Sequence, residues 1–192
     1  MGLDLDYPDG QTPLDEDEKE GLLITTITTR GELDEFEQLG VEKAIEWTMK
    51  RKLGLQQILT EDFVKELHKR MFEDIWKWAG QFRTSNKNLG VDKNQIRTEV
   101  KKLFDDCRYW IDHKVFAEDE IAVRFSHRIV TIHPFSNGNG RHSRLIADIL
   151  VSHGFGRPLF SWGSINLTAQ GAARSAYLKA LREADDNDYQ SL

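Results

Sequence analysis

The chain has 192 residues with 26 basic and 32 acidic side chains, and its net charge of −6 argues against a general nucleic-acid or anionic-membrane binder. With 39% apolar and 30% charged residues it has the balance of an ordinary soluble domain, long enough to bury roughly 70% of its unfolded surface. The one cysteine, Cys107, excludes an internal disulfide and a Cys-rich zinc site; with no long apolar run and no leader-like start, the cytoplasm is the expected compartment.

Residues 1–20 are polar and acidic, with Pro8, Pro13 and the run Asp15-Glu-Asp-Glu-Lys-Glu20, and read as an arm. Residues 21–58 read as a helical segment. Thr29 and Glu32 have the spacing of a capping box, which gives Glu32 a local structural duty, whereas Glu37 sits mid-helix with none. Residues 59–192 form the expected core. Thr60 can cap a helix in which Phe63, Leu67, Met71, Ile75 and Trp78 recur at three- and four-residue steps. Residues 81–91, bounded by Gly80 and Gly90 and interrupted by Asn86-Lys-Asn88, read as a short hairpin or loop. Val100, Leu103, Phe104, Cys107, Trp110 and Ile111 mark a second helical stripe. Ala122, Phe125, Ile129 and Ile132 mark a third. A last helix is expected from near Thr168, aligning Ala173, Ala176, Tyr177, Ala180 and Leu181. Scarce strand signals exclude a Rossmann sheet and a P-loop domain.

The stretch from His133 to Arg144, His-Pro-Phe-Ser-Asn-Gly-Asn-Gly-Arg-His-Ser-Arg, carries the chemistry. The third helix delivers an imidazole, and Pro134 stops it, because the residue before a proline is pushed out of the α region. Gly138 and Gly140 allow a tight turn or a close ligand, and a new helix begins near Arg141, with Leu145, Ile146, Ile149 and Leu150 on one face. A glycine-rich turn entering a helix N-terminus suits a phosphate group, through its amides and the helix dipole. His127, His133 and His142 lack a cysteine or aspartate at ligand spacing, which argues against zinc, and His68 beside its apolar stripe reads as structural.

This stretch resembles the signature of the Fic family, His-Pro-Phe-x-(Asp/Glu)-Gly-Asn-Gly-Arg-x-x-Arg, departing from it only at Asn137. The resemblance implies an all-α, Fic-type helical bundle with a short β-hairpin flap near the active site. It also implies transfer of AMP from ATP to a Ser, Thr or Tyr hydroxyl of a target protein. His133 would be the general base, and Ser136, Asn137, Gly138, Asn139, Gly140, Arg141 and Arg144 would surround the nucleotide. Mg²⁺ would be the cofactor, with Asn137 its neutral protein ligand. Ala79-Gly80-Gln-Phe-Arg83 is similar to the segment leading into the family's flap, where Arg83, Thr84, Leu89 and Gly90 would hold target chain by strand addition. Arg174-x-x-Tyr177-x-x-Ala180-Leu181 is similar to the final segment, in which an aromatic lies against the base. Many relatives carry an inhibitory glutamate that pairs with the second signature arginine, here Arg144; Glu37 and Glu32 are the candidates. The family also contains members that use UMP, phosphate or phosphocholine donors, members that chiefly remove AMP, and members with a separate antitoxin partner; self-association is equally open.

Overall fold

The computed structural model describes residues 15–162 and 172–192. Among these the chain is all-α: α1 (Glu16–Lys19), α2 (Arg30–Met49), α3 (Leu55–Ile58), α4 (Glu61–Phe72), α5 (Ile96–Asp112), α6 (Glu118–Ile132), α7 (Asn139–Ile149) and α8 (Ala172–Asp185). Most of the expected arm, the start of the last helix near Thr168, and the side chains of Ala173 and Arg174 lie outside the described residues.

The helix starts follow their caps. Thr29 accepts the Glu32 amide at 3.3 Å while the Glu32 carboxylate accepts the amides of Thr28 and Thr29 at 2.9 and 3.0 Å. Thr60 accepts the Phe63 amide at 3.1 Å. α6 buries the stripe that its periodicity marks, and α5 buries its own as far as Cys107, with Trp110 and Ile111 half-buried; burial pushes the Cys107 thiol up to about 12. Such a thiol is inert. Among the described residues no helix is long and apolar enough to cross a membrane.

α4 is shorter than its pattern predicts, ending at Phe72 although Ile75 and Trp76 are also buried. Tertiary pairing overrides the helical period here. The Leu23 amide donates to the Ile75 carbonyl at 2.8 Å and Lys77 to Gly21 at 2.9 Å, around an isolated antiparallel bridge between Leu22 and Trp76. Nor do residues 81–91 form a strand ladder; the flap is an ordered loop. Its backbone is bonded to the chain around His133 instead of to itself: Arg83 N–H donates to the Pro134 carbonyl at 2.9 Å and Val91 N–H to that of Ile132 at 3.3 Å.

α2 lies across α4 through Leu33, Glu37, Gly40, Ala44 and Thr48. Gly40 sets the closeness of that crossing, since a Cβ there would come within 2.1 Å of the Met71 carbonyl oxygen. α6 packs against both α5 and α7, and α7 also meets α2 and α4. α7 therefore stands where α2, α4 and α6 meet, and a carboxylate on the buried stripe of α2 can reach its start.

Candidate active site

His133 ends α6 in the left-handed region, with φ of 55°, because Pro134 bars the α conformation. Hydrogen bonds from both its backbone and its ring hold it there. Its carbonyl accepts Arg83 Nε–H at 2.7 Å, and its Nδ1 lies 3.1 Å from the carbonyl of Val130. A carbonyl only accepts, so the ring proton sits on Nδ1 and the lone pair falls on Nε2, the form a general base requires. Burial holds the ring down at about 4, so it is neutral at physiological pH. Gly90, at φ +96°, closes over this residue; a Cβ there would stand 2.5 Å from the His133 Cβ.

Arg83 is turned inward. Besides the His133 carbonyl, its guanidinium donates to those of Ser85, at 2.8 Å, and Val91, and it is buried. It ties the flap to the backbone of His133 rather than facing a target, which corrects the role expected of it. Thr84 and Leu89 remain at the surface, Leu89 at 42% exposure.

From His133 the chain turns through Phe135 and the buried Ser136 to Gly138, which takes φ +75° and lies so close to Phe72 that a Cβ would meet its ring at 2.5 Å. The Asn139 side chain braces this turn: Oδ1 accepts the Phe135 amide at 3.0 Å and Nδ2 donates to the Phe135 carbonyl at 2.8 Å. Expected to add an amide to the phosphate cradle, Asn139 spends that amide on the loop itself. The first backbone bond of α7 runs from His142 to Gly138 at 2.9 Å, so the amides of Asn139, Gly140 and Arg141 have no acceptor within the helix. Together with the helix dipole they form an anion-receiving end. At Gly140 the nearest atom to an added Cβ is Arg144 Nη1 at 3.7 Å, so bare backbone lies beside the guanidinium.

His68 does more than fill the core. Its Nδ1 accepts the Gly80 amide at 3.0 Å, which leaves Nε2 to donate to the Asn137 carbonyl at 3.0 Å, and its ring stacks on Phe135 at 3.7 Å. Burial holds it well below the usual histidine range, so this tautomer persists. The residue joins the foot of the flap to the phosphate loop. Spacing alone reveals only that it lies beside an apolar stripe.

Of the two candidate glutamates, Glu32 is consumed by its capping box. Glu37 is 1% exposed, accepts Trp76 Nε1–H at 2.9 Å, and accepts Arg141 Nη2–H at 2.6 Å. Its partner is thus the first signature arginine, not Arg144 as expected. The stripe of α2 that packs on α4 aims position 37 at the first turn of α7. Arg144 lies instead over the Tyr177 ring, 5.1 Å from its centroid, and Tyr177 meets Trp162 edge-on at 6.3 Å. Burial raises the nearby Asp148 carboxyl, which Trp162 Nε1–H approaches at 3.1 Å.

Among the described residues little is offered to a divalent ion. No cluster of three His, Cys, Asp or Glu side chains that suits a metal occurs among the described residues. Asn137 Oδ1 is a neutral oxygen that already accepts the Gly138 amide at 2.6 Å. A single neutral donor fits an ion carried in on phosphate oxygens rather than one caged by protein.

Residues 58–151 match the Fic/DOC family. Over 136 residues the chain is 29% identical to the probable protein adenylyltransferase y4lH of Sinorhizobium fredii, covering 66% of this chain and 68% of that one. It is 26% identical over 128 residues to the protein adenylyltransferase Fic of Nematostella vectensis, which covers 64% of this chain but 30% of the relative. The chain therefore corresponds to a minor part of that protein. BepC of Bartonella tribocorum, solved with bound AMPPNP, superposes with a TM-score of 0.63 at 18% identity, covering 92% of this chain and 94% of BepC. At that identity the likeness establishes the fold alone.

Proposed function

Because the chain belongs to the Fic/DOC family, we propose that it is a protein adenylyltransferase that moves AMP from ATP to a Ser, Thr or Tyr hydroxyl of a target protein, with Glu37 as its brake. The observation that carries this reading is a neutral imidazole, proton fixed on Nδ1, at one end of a loop whose other end is the amide-rich start of α7.

In that reaction the target hydroxyl oxygen attacks the α-phosphorus, its proton passes to His133 Nε2, and the bond to the β-phosphate oxygen breaks to release pyrophosphate. Positioning and charge supply most of the rate in such transfers. The α7 amides and Arg144 would hold the anionic end, Gly140 would let it approach the backbone, and Tyr177 would lie toward the base. Asn137 would be the residue that holds Mg²⁺, which when bound neutralises phosphate charge. Arg141 can join its fork to the phosphates only after leaving Glu37, and this is the proposed basis of inhibition.

Incubation with a candidate target and ATP labelled at the α or the γ position tests the reading. AMP transfer carries only the α label to protein, and His133→Ala abolishes it. A protein that takes up the γ label instead is a kinase, and one that takes up neither, even as Glu37→Ala, overturns the proposal. The grip of Glu37 on Arg141 and the neutral Asn137 favour, as a second reading, a nucleotide-holding protein of low turnover. ATP binding without label transfer would identify it.

A further inference from the structure

We infer that Lys87 and Ser85 on the flap form a recognition site for an acidic segment of the target protein, and that the chain's own α1 occupies this site in the closed state. The flap packs directly on His133, through Gly90 and the Arg83 bonds, so a hydroxyl delivered to the imidazole must come in along it. On that loop the Asp15 carboxylate accepts Lys87 Nζ–H and Ser85 Oγ–H, each at 2.8 Å, and Glu18 closes on the same ammonium. The Lys87 side chain is left 3% exposed whereas Asp15 remains 54% exposed.

The manner of docking points to displacement. α1 is a single turn that contributes no buried residue; Trp78 Nε1–H donates to the Glu18 carbonyl at 3.0 Å, and the contacts that α1 and its cap residue Asp15 make with the flap run through the carboxylates of Asp15 and Glu18. Firm attachment begins beyond it, at Gly21 to Leu23, whose backbone bonds to residues 75–77. A charged latch with no apolar anchor weakens as salt screens it. Its carboxylates hold the cation because the tether supplies a millimolar effective concentration, not because many contacts do. When α1 swings away, Lys87 and Ser85 present one cation and one hydroxyl beside the base, complementary to carboxylates flanking a target hydroxyl. The run Asp15 to Glu20, five acids in six residues, shows the chemistry that the site accepts.

This inference rests on the proposed transfer only in placing a target here, and its test needs neither nucleotide nor turnover. The probe is a fluorescein-labelled peptide copying residues 15–22, titrated by anisotropy against the full chain. Asp15→Lys/Glu18→Lys, which frees the site, should bind the peptide at least tenfold more tightly than the wild type. Adding Lys87→Glu should remove the binding, as should a peptide with Asn and Gln in place of its acids. A chain carrying Glu46→Lys/Glu99→Lys, with the same change in net charge, should behave as the wild type, and circular dichroism should show every variant folded. Equal binding by the wild type and the freed variant, binding that survives Lys87→Glu, or no binding by the freed variant each overturns the inference. Failure of label transfer leaves it standing.

Discussion

Replacing Glu37 should move stability and nucleotide affinity in opposite directions. Glu37→Ala removes the carboxylate that Arg141 meets at 2.6 Å and Trp76 Nε1–H meets at 2.9 Å in a buried site. Breaking a buried ion pair from one side costs about 3–5 kcal/mol, and the lower figure applies because the Arg141 side chain, 14% exposed, can turn to water. The indole N–H left unpaired adds about 1 kcal/mol. The sum, about 4 kcal/mol, lowers the melting temperature by roughly 10 °C for a chain of this size. Glu37→Gln keeps an acceptor for Trp76 and should lose about half as much. If phosphate must displace Glu37 from Arg141, the variant no longer spends that charged hydrogen bond, about 1.5–3 kcal/mol, or roughly ten- to a hundredfold in ATP affinity. Calorimetric titration of ATP with Mg²⁺, beside thermal melts of the same samples, reads both quantities. Destabilisation with unchanged or weaker ATP binding would refute the brake. Glu37 would then be a support that orients Arg141 toward phosphate.

The two glycines of the loop should separate by assay. Gly138→Ala places a Cβ 2.5 Å from Phe72 at φ +75° and should cost at least about 2 kcal/mol in denaturant melts, whereas Gly140→Ala meets nothing closer than 3.7 Å and should leave stability nearly unchanged while weakening ATP binding at least tenfold. Equal destabilisation by both would contradict the geometry. Acid should also act through the buried histidines: His133 and His142 lie at about 4 when folded, below the usual value of about 6.5, so the unfolded chain binds protons that the folded one refuses between these limits. Stability is therefore full above pH 6.5 and is lost as pH falls toward 4, by about 3 kcal/mol or more between pH 7 and pH 5; urea midpoints that stay flat across this range would show that the rings are not buried as described.

Much of this was legible in the sequence because it depends on local chemistry. Pro134 and Gly138 announce a broken helix and a tight turn, Thr29 and Thr60 mark helix starts, and the apolar stripes of α5 and α6 repeat at helical spacing. What could not be read depends on partners remote in the chain. Glu37 meets Arg141 across 104 positions, Lys87 meets Glu18 across 69, and the Arg83 guanidinium meets His133 across 50. A one-dimensional pattern carries no such pairings. One clue was present: Leu33, Glu37, Gly40 and Ala44 share a helical face, which places a carboxylate on a packing stripe, where burial demands a partner. Asn139 misled for the opposite reason. An amide beside a phosphate loop suggests a ligand, yet a turn that buries the Phe135 backbone must first satisfy that backbone's own polar groups.

The same demand links the proposed brake to the loop from His133 to Arg144. With Asn at position 137 the loop itself lacks the carboxylate usual in the family signature, and the anion that touches its first arginine comes from α2. In the proposed reaction the charge presented to a triphosphate would therefore depend on how α2 lies on α4. That crossing is fixed by Gly40 against the Met71 carbonyl, three residues from Glu37 on the same face. A side chain at position 40 would force the helices apart and draw the carboxylate away from Arg141 without altering any residue of the phosphate loop. If Glu37 is the proposed brake, a change confined to the packing of α2 would alter nucleotide affinity, and the brake would be a property of helix packing as much as of a glutamate.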